Sequence, residues 1–234
     1  MSTIPQNLQA VNTRIAHAAR AALREPCEVS LLAVAKTFDS GAVIEAAIAG
    51  QRAFGENYLQ EALDKIDAVR RAQPDLLLEW HFIGPIQSNK TKPIAEHFDW
   101  VHSIEREKIA QRLSEQRPAH LPPLNVCLQI NISGESSKSG VAPQEAAQLA
   151  IAISHMPRLR LRGLMAIPEP VEGFEQQRVP HRRLHALYEQ LRLQGLALDT
   201  LSMGMSGDME AAIAEGATMV RVGTAIFGNR SYDK

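Results

Sequence analysis

The chain has 234 residues, 45% hydrophobic and 22% charged, with 25 Lys and Arg against 26 Asp and Glu and a formal net charge of −1. The two signs are interspersed, which excludes the basic footprint that a nucleic acid or an anionic membrane surface requires. No apolar run reaches the ~18 residues of a membrane span and the N-terminus has no charged start leading into an apolar stretch, so a cytoplasmic protein is expected.

An amphipathic helix over Ile4 to Leu23 precedes the first predicted strand, VSLLAVAK (29–36). SGAVIEAAIAG then reads as a helix with Ser40 as N-cap and Gly50 at its end. Strands RAFGEN (52–57), LEWHFIG (78–84) and WVHSI (100–104) follow, each separated from the next by a helical pattern. SIEREKIAQRLSEQRP reads as a helix starting at Ser103 and stopping before Pro118, and LNVCLQINI (124–132) as the fifth strand. PQEAAQLAIAISHMP and FEQQRVPHRRLHALYEQLRLQG are helical, the second with a late start imposed by Pro180, and they flank the strand LRLRGLMAI (159–167). DTLSMG (199–204) and TMVRVGTAIFG (218–228) complete eight strands.

Regular alternation of strand and helix predicts a parallel sheet covered on both faces, and this explains why the strands are nearly continuous apolar runs. Eight units of roughly 29 residues fit a closed (β/α)8 barrel, typically ~250 residues long. No strand-to-helix junction carries GxGxxG, so the doubly wound alternative lacks its local support. The fold predicted is α/β, a single TIM barrel with an extra N-terminal helix. No Pro/Gly/Ser-rich linker divides it, so residues 1–234 are expected to form one domain. Cys27 and Cys127 lie in no CxxC spacing and are expected to be reduced, buried thiols, and the eight histidines show no HExxH, so no metal site is expected.

In such a barrel the functional residues sit at the carboxyl ends of the strands. Here those positions collect Lys36, Asn57, His81 to Gly84, Ser103, Asn131, Met165, Ser202 to Ser206, and Arg221 to Thr224. A lysine held in a low-dielectric site loses proton affinity, and its free amine attacks an aldehyde, which is Schiff-base chemistry. The bland alternative is that Lys36 reaches solvent or pairs with Glu56. SMGMSGDMEAAIAEG followed by Gly223-Thr224 offers hydroxyls and glycine-exposed backbone N–H groups that suit a phosphate, although Ser206 reads equally as a helix N-cap and Asp208 opposes an anion unless it points away. A lysine on strand one and a phosphate grip after strands seven and eight are neighbours where the barrel closes. Together they describe a phosphorylated aldehyde: pyridoxal 5′-phosphate (PLP), or a sugar phosphate handled by a lysine aldolase.

At LLAVAKTF, FGENYLQE, HFIGPIQSNK, NVCLQINISGESSKSG, RGLMAIP and SMGMSGDMEAAIAEGATMVRVGTAIFG the sequence resembles the pyridoxal phosphate homeostasis proteins, one-domain relatives of the alanine racemase barrel. The resemblance spans essentially the whole chain. It implies that Lys36 carries PLP as an internal aldimine, that Asn57 lies near the ring substituents, that Arg221 faces the pyridine nitrogen, and that Ser202, Ser206, Gly223 and Thr224 surround the phosphate. Gly207 departs from the acidic residue found there in relatives. An arginine donates to the ring nitrogen without giving up a proton, which leaves the ring a weak electron sink. The related two-domain racemases use a tyrosine from a second domain; no counterpart of that domain is expected here, and of the three tyrosines, Tyr58, Tyr188 and Tyr232, only Tyr58 is expected near the matching rim. The resemblance thus implies a non-catalytic, monomeric carrier in vitamin B6 and amino-acid homeostasis that passes PLP to apo-enzymes transiently, with a weak amino-acid racemase as the alternative. Lys138, in the loop after strand five, is a candidate aid to cofactor entry or release. Met203, Met205 and Met209 read as packing, not as a metal box.

Overall fold

The first strand, β1 (Ser30–Val34), pairs in parallel with both β2 (Ala53–Glu56) and β8 (Met219–Val222), and that double pairing closes the sheet. Between them run β3 (Glu79–Phe82), β4 (Trp100–Ile104), β5 (Leu124–Gln129), β6 (Leu159–Met165) and β7 (Thr200–Ser202), in chain order around a closed barrel. The computed structural model describes residues 3–134 and 139–228, so Lys138 and Tyr232 lie outside the described residues. At the seam Leu32 stands opposite Arg221 and Ala33 opposite Val222, which brings the ends of the first and last strands side by side.

Side chains alternate across each strand and so divide into two sets. Leu31, Ala33, Phe54, Trp80, Phe82, Val101, Leu128, Leu164, Leu201, Val220 and Val222 belong to the main apolar core between sheet and helices. A second, small cluster of Trp100, Cys127 and Met165 fills part of the barrel interior. The outer layer comprises α2 (Ser40–Ile48), α3 (Leu59–Ala72), α4 (Thr91–His97), α5 (Glu107–Gln116), α6 (Ala146–Ser154), α7 (Phe174–Leu193), α8 (Met209–Ala214) and α9 (Thr224–Phe227), preceded by the extra helix α1 (Ile4–Ala21). Helix α1 buries Leu8, Val11, Ile15 and Ala19, a stripe at three- and four-residue spacing. It is tied to the barrel seam by Asn7 Nδ2 donating to Ile226 O at 2.8 Å and by Arg14 pairing with Glu210 at 2.8 Å. No helix among the described residues is long and apolar enough to cross a membrane.

Several boundaries differ from the sequence reading. The cap of α2 is Asp39, not Ser40, because the Asp39 carboxylate accepts from Ala42 N at 2.9 Å. Ser103 does not open a helix: it lies within β4 with its hydroxyl on Gly84 O, and α5 starts only at Glu107. Helix α7 begins at Phe174 and continues through Pro180, which removes one N–H and leaves the rest of a 20-residue helix to hold it. The final strand stops at Val222, and Thr224–Phe227 turn into α9 after Gly223. Cys127 is buried as expected, but Cys27 is exposed in the turn before β1.

Candidate functional site

Lys36 continues the inward face of Leu32 and Val34 two residues past the last of them, so the alternation that builds the strand also delivers the amine to the barrel mouth. There it meets a cavity of about 310 Å³ whose wall also includes Val34, Asn57, Ser206, Arg221, Gly223 and Thr224. Ile83, Ile167 and Met205 give the same cavity an apolar side. Of the residues that the resemblance places around the cofactor, Ser202 alone stays off the wall, and of the other strand-end positions His81, Gly84, Ser103, Asn131 and Met165 are off it too. Ser202 is fully buried one layer deeper, behind Arg221.

The backbone around Lys36 is clamped from α3. Lys65 Nζ donates to Ala35 O at 2.8 Å on one side, and Thr37 N donates to Glu61 Oε1 at 2.6 Å on the other. Thr37 has a φ of +69°, a conformation costing a β-branched residue about 1–3 kcal/mol, and the two bonds hold it there. Lys65 also pairs with Glu56 at 2.6 Å and with Glu61 at 3.1 Å, and Lys36 adds a smaller attraction on Glu56. Burial pushes the Glu56 carboxyl up to about 7 in spite of Lys65. Asn57 is fixed by a close approach: a Cβ on Gly84 would lie 2.8 Å from Asn57 Cα, so only glycine lets the chain leaving β3 pass beside it. The Asn57 Oδ1 atom is buried without a partner.

Arg221 is 4% exposed and, among the described residues, bonds to neutral acceptors only. Its Nη1 donates to Ser202 O at 2.5 Å and to Ser202 Oγ at 2.9 Å, and its Nη2 to Ala166 O at 2.9 Å. A guanidinium has five N–H donors, so the Nε–H and one Nη2–H are not used by these bonds. Burial pushes the group down to about 10, which leaves it charged at neutral pH.

Across the mouth, Ser206, Gly207, Gly223 and Thr224 form a polar corner. Ser206 is not a helix cap, since α8 begins at Met209. Asp208 turns away from the corner: one oxygen accepts from Met205 N at 2.6 Å and the other faces His181 Nε2 at 3.0 Å. Tyr58, 54% exposed, precedes α3 and is not on the cavity wall. Among the described residues no cluster of three metal-ligating side chains occurs.

Lys65, Glu61 and His102 escaped the sequence reading, and His81 enters it only as a strand-end position. Lys65 and Glu61 read as an ordinary solvated pair one helical turn apart, and nothing in the sequence says that Lys65 faces the barrel. His81 and His102 carry a signal in their positions: polar residues at the middle of apolar strands point to a polar interior. His102 is fully buried, with Nδ1 2.8 Å from Ser202 Oγ and Nε2 2.9 Å from His81 Nδ1. Burial holds its pKa well below the ordinary 6.5, with the neighbouring His81 and Arg221 adding to the effect. The unfolded chain therefore takes up a proton below pH 6.5 that the folded chain refuses, and the contribution present above 6.5 is lost as pH falls toward the folded value. By about pH 5.5, where the unfolded His102 is almost fully protonated, the stability of the native protein should fall more steeply than that of His102→Asn by close to one proton, or about 1.4 kcal/mol per pH unit, in urea titrations.

The sequence model of the family "Alanine racemase, N-terminal domain" matches residues 6–231. A "Pyridoxal phosphate homeostasis protein" of Pseudomonas aeruginosa is 62% identical over 99% of this chain and 98% of its own, and one of Escherichia coli K12 is 54% identical over the full length of both. PipY of Synechococcus elongatus, solved with PLP bound, superposes with a TM-score of 0.78 at 36% identity, covering 92% of this chain and all of that one. Alanine racemase of Corynebacterium glutamicum shares the fold, at a TM-score of 0.67 and 20% identity over 97% of this chain and 62% of that one. The chain belongs to the alanine racemase N-terminal domain family, in the branch of the pyridoxal phosphate homeostasis proteins.

Proposed function

We propose that this chain binds PLP at the carboxyl end of its barrel, carries it covalently on Lys36, and serves in vitamin B6 homeostasis as a carrier without catalytic turnover. The observation that carries the reading is one cavity whose wall holds an inward amine, a buried arginine with spare donors, an unpartnered amide oxygen and a hydroxyl-glycine corner. Bound PLP supplies an aldehyde with which an amine condenses, losing water and forming a Schiff base. The donor set fits this group. Asn57 Oδ1 lacks a partner and offers an acceptor to the ring hydroxyl, while Arg221 offers only donors and suits the unprotonated ring nitrogen. Ser206 and Thr224 offer hydroxyls, and Gly207 and Gly223 bare backbone, to the phosphate. Ser202 acts at one remove, by holding the guanidinium in place.

Absence of turnover is supported by the composition of the wall. Among the described residues it carries Lys36 and Arg221 but no carboxylate, imidazole, phenol or thiol to serve as a second acid or base. The expectations of a single monomeric, cytoplasmic domain and of transient hand-over to apo-enzymes belong to the same proposal. The test is to mix the full-length protein with PLP, reduce with borohydride, digest and map the adduct. The adduct should fall on Lys36 within LLAVAKTF and vanish in Lys36→Ala, and an adduct on another lysine or none at all contradicts the proposal. For the carrier role, loaded protein should reactivate an apo-enzyme faster than a trap for free aldehyde permits. Solvent deuterium appearing at the α-carbon of alanine, and lost in Lys36→Ala, would count against the absence of turnover.

A further inference from the structure

A continuous file of polar side chains crosses the barrel interior beneath the cavity. Arg221 Nη1 is 2.9 Å from Ser202 Oγ, which is 2.8 Å from His102 Nδ1. His102 Nε2 is 2.9 Å from His81 Nδ1, and His81 Nε2 is 2.7 Å from Glu79 Oε1. Strand alternation explains the path: Glu79 and His81 share the inward face of β3, and His102, Ser202 and Arg221 come from β4, β7 and β8.

The ends of this file fix its sense. A guanidinium only donates and an ionised carboxylate only accepts. Ser202 Oγ must therefore accept from Arg221 and give its own proton to His102 Nδ1. His102 in turn donates from Nε2 to His81 Nδ1, and His81 donates from Nε2 to Glu79. Each link on the route then pairs one donor with one acceptor, with both imidazoles neutral and both carrying their proton on Nε2. Burial favours neutral rings at His81 and His102, and the His81 bond holds the Glu79 carboxyl below its usual range. Bonds aligned in one direction polarise one another, which makes the Ser202 oxygen a better acceptor for Arg221.

We propose that Glu79, His81, His102 and Ser202 are positioning residues for the cofactor ring: a one-directional relay from the lower rim of the barrel that orients and polarises Arg221 toward the ring nitrogen of bound PLP. This rests on the reading that the cavity holds PLP with its ring nitrogen at Arg221. Glu79 is the residue to probe, because its side chain is 47% exposed at the start of β3 and Glu79→Gln removes charge without opening the core.

The test has two arms on the full-length protein. Without cofactor, imidazole 15N spectra of the native chain should show His81 and His102 neutral and protonated on Nε2. An Nδ1–H form or an imidazolium at either site overturns the relay. With PLP carrying 15N in its ring, Glu79→Gln should displace the ring-nitrogen resonance relative to the native protein while thermal melting remains cooperative. His102→Asn, which keeps an acceptor for Ser202 yet cannot reach His81, should displace it in the same direction. A merely structural role for Glu79 would leave that resonance where it is, so an unchanged resonance in Glu79→Gln with the cofactor attached overturns the inference. Labelled PLP that fails to attach to the native chain overturns the site reading itself, and the relay's action on the ring with it.

Discussion

Replacing Lys65 by methionine is expected to lower the unfolding free energy by about 3–5 kcal/mol, because it removes one member of a buried ion pair and strands the other. The Lys65 side chain is 3% exposed and that of Glu56 0%, so no water replaces the lost ammonium. The deficit should deepen with pH. A carboxyl whose folded pKa lies above its unfolded value contributes stability that is full below the unfolded pKa of about 4.5 and is lost as pH rises through the folded one. Glu56 already titrates at about 7 with Lys65 present, and loss of the cation moves it higher still. Urea titrations at pH 6 and pH 8 should show the larger loss at pH 8, and Lys65→Met combined with Glu56→Gln should recover part of it. The same change frees Ala35 O and loosens the clamp on Thr37, so loading of Lys36 should slow as well. A variant as stable as the native protein at both pH values would show that the pair is not the anchor of the Lys36 segment.

Gly163→Ala is expected to cost more than about 4 kcal/mol, enough to abolish a cooperative transition in a domain of ordinary stability. Gly163 pairs with Thr200 where β6 meets β7, and a Cβ at 163 would overlap the Thr200 carbonyl oxygen and stand 2.6 Å from its carbon. The obstacle is backbone of the adjacent strand, so relief requires spreading the barrel next to Ser202. Gly207→Ala is the control: nothing lies within 4 Å of its added Cβ, and its stability should stay within about 0.5 kcal/mol of native. Circular dichroism melts of the two variants decide the matter, and a Gly163→Ala protein that melts like the native one would contradict the inter-strand packing described.

The barrel was legible because parallel strands covered on both faces advertise themselves as apolar runs, and each of the eight runs contains an observed strand. Strand ends were overrun where apolar composition continues past the last ladder bond, as at Thr224–Phe227, whose residues suit strand and helix alike until Gly223 lets the chain turn. The position of Lys36 followed from counting by twos along β1. Ser202 sits on the same kind of inward face, but its depth could not be read from one strand alone. Depth in a barrel depends on strand stagger, a property of eight strands together. The interior relay was hidden for a related reason: Glu79, His81, His102, Ser202 and Arg221 come from four strands and meet only on closure. The Lys65 clamp was hidden because a lysine four residues after a glutamate on a polar helix looks like surface chemistry.

A crystal structure of the native protein grown with PLP tests the central claim most directly. Continuous density should join Lys36 Nζ to the former aldehyde carbon, with the ring nitrogen at Arg221 and the phosphate at Ser206, Gly207, Gly223 and Thr224. Density for the cofactor elsewhere, or a Lys36 amine turned out of the cavity with that corner vacant, would contradict the account.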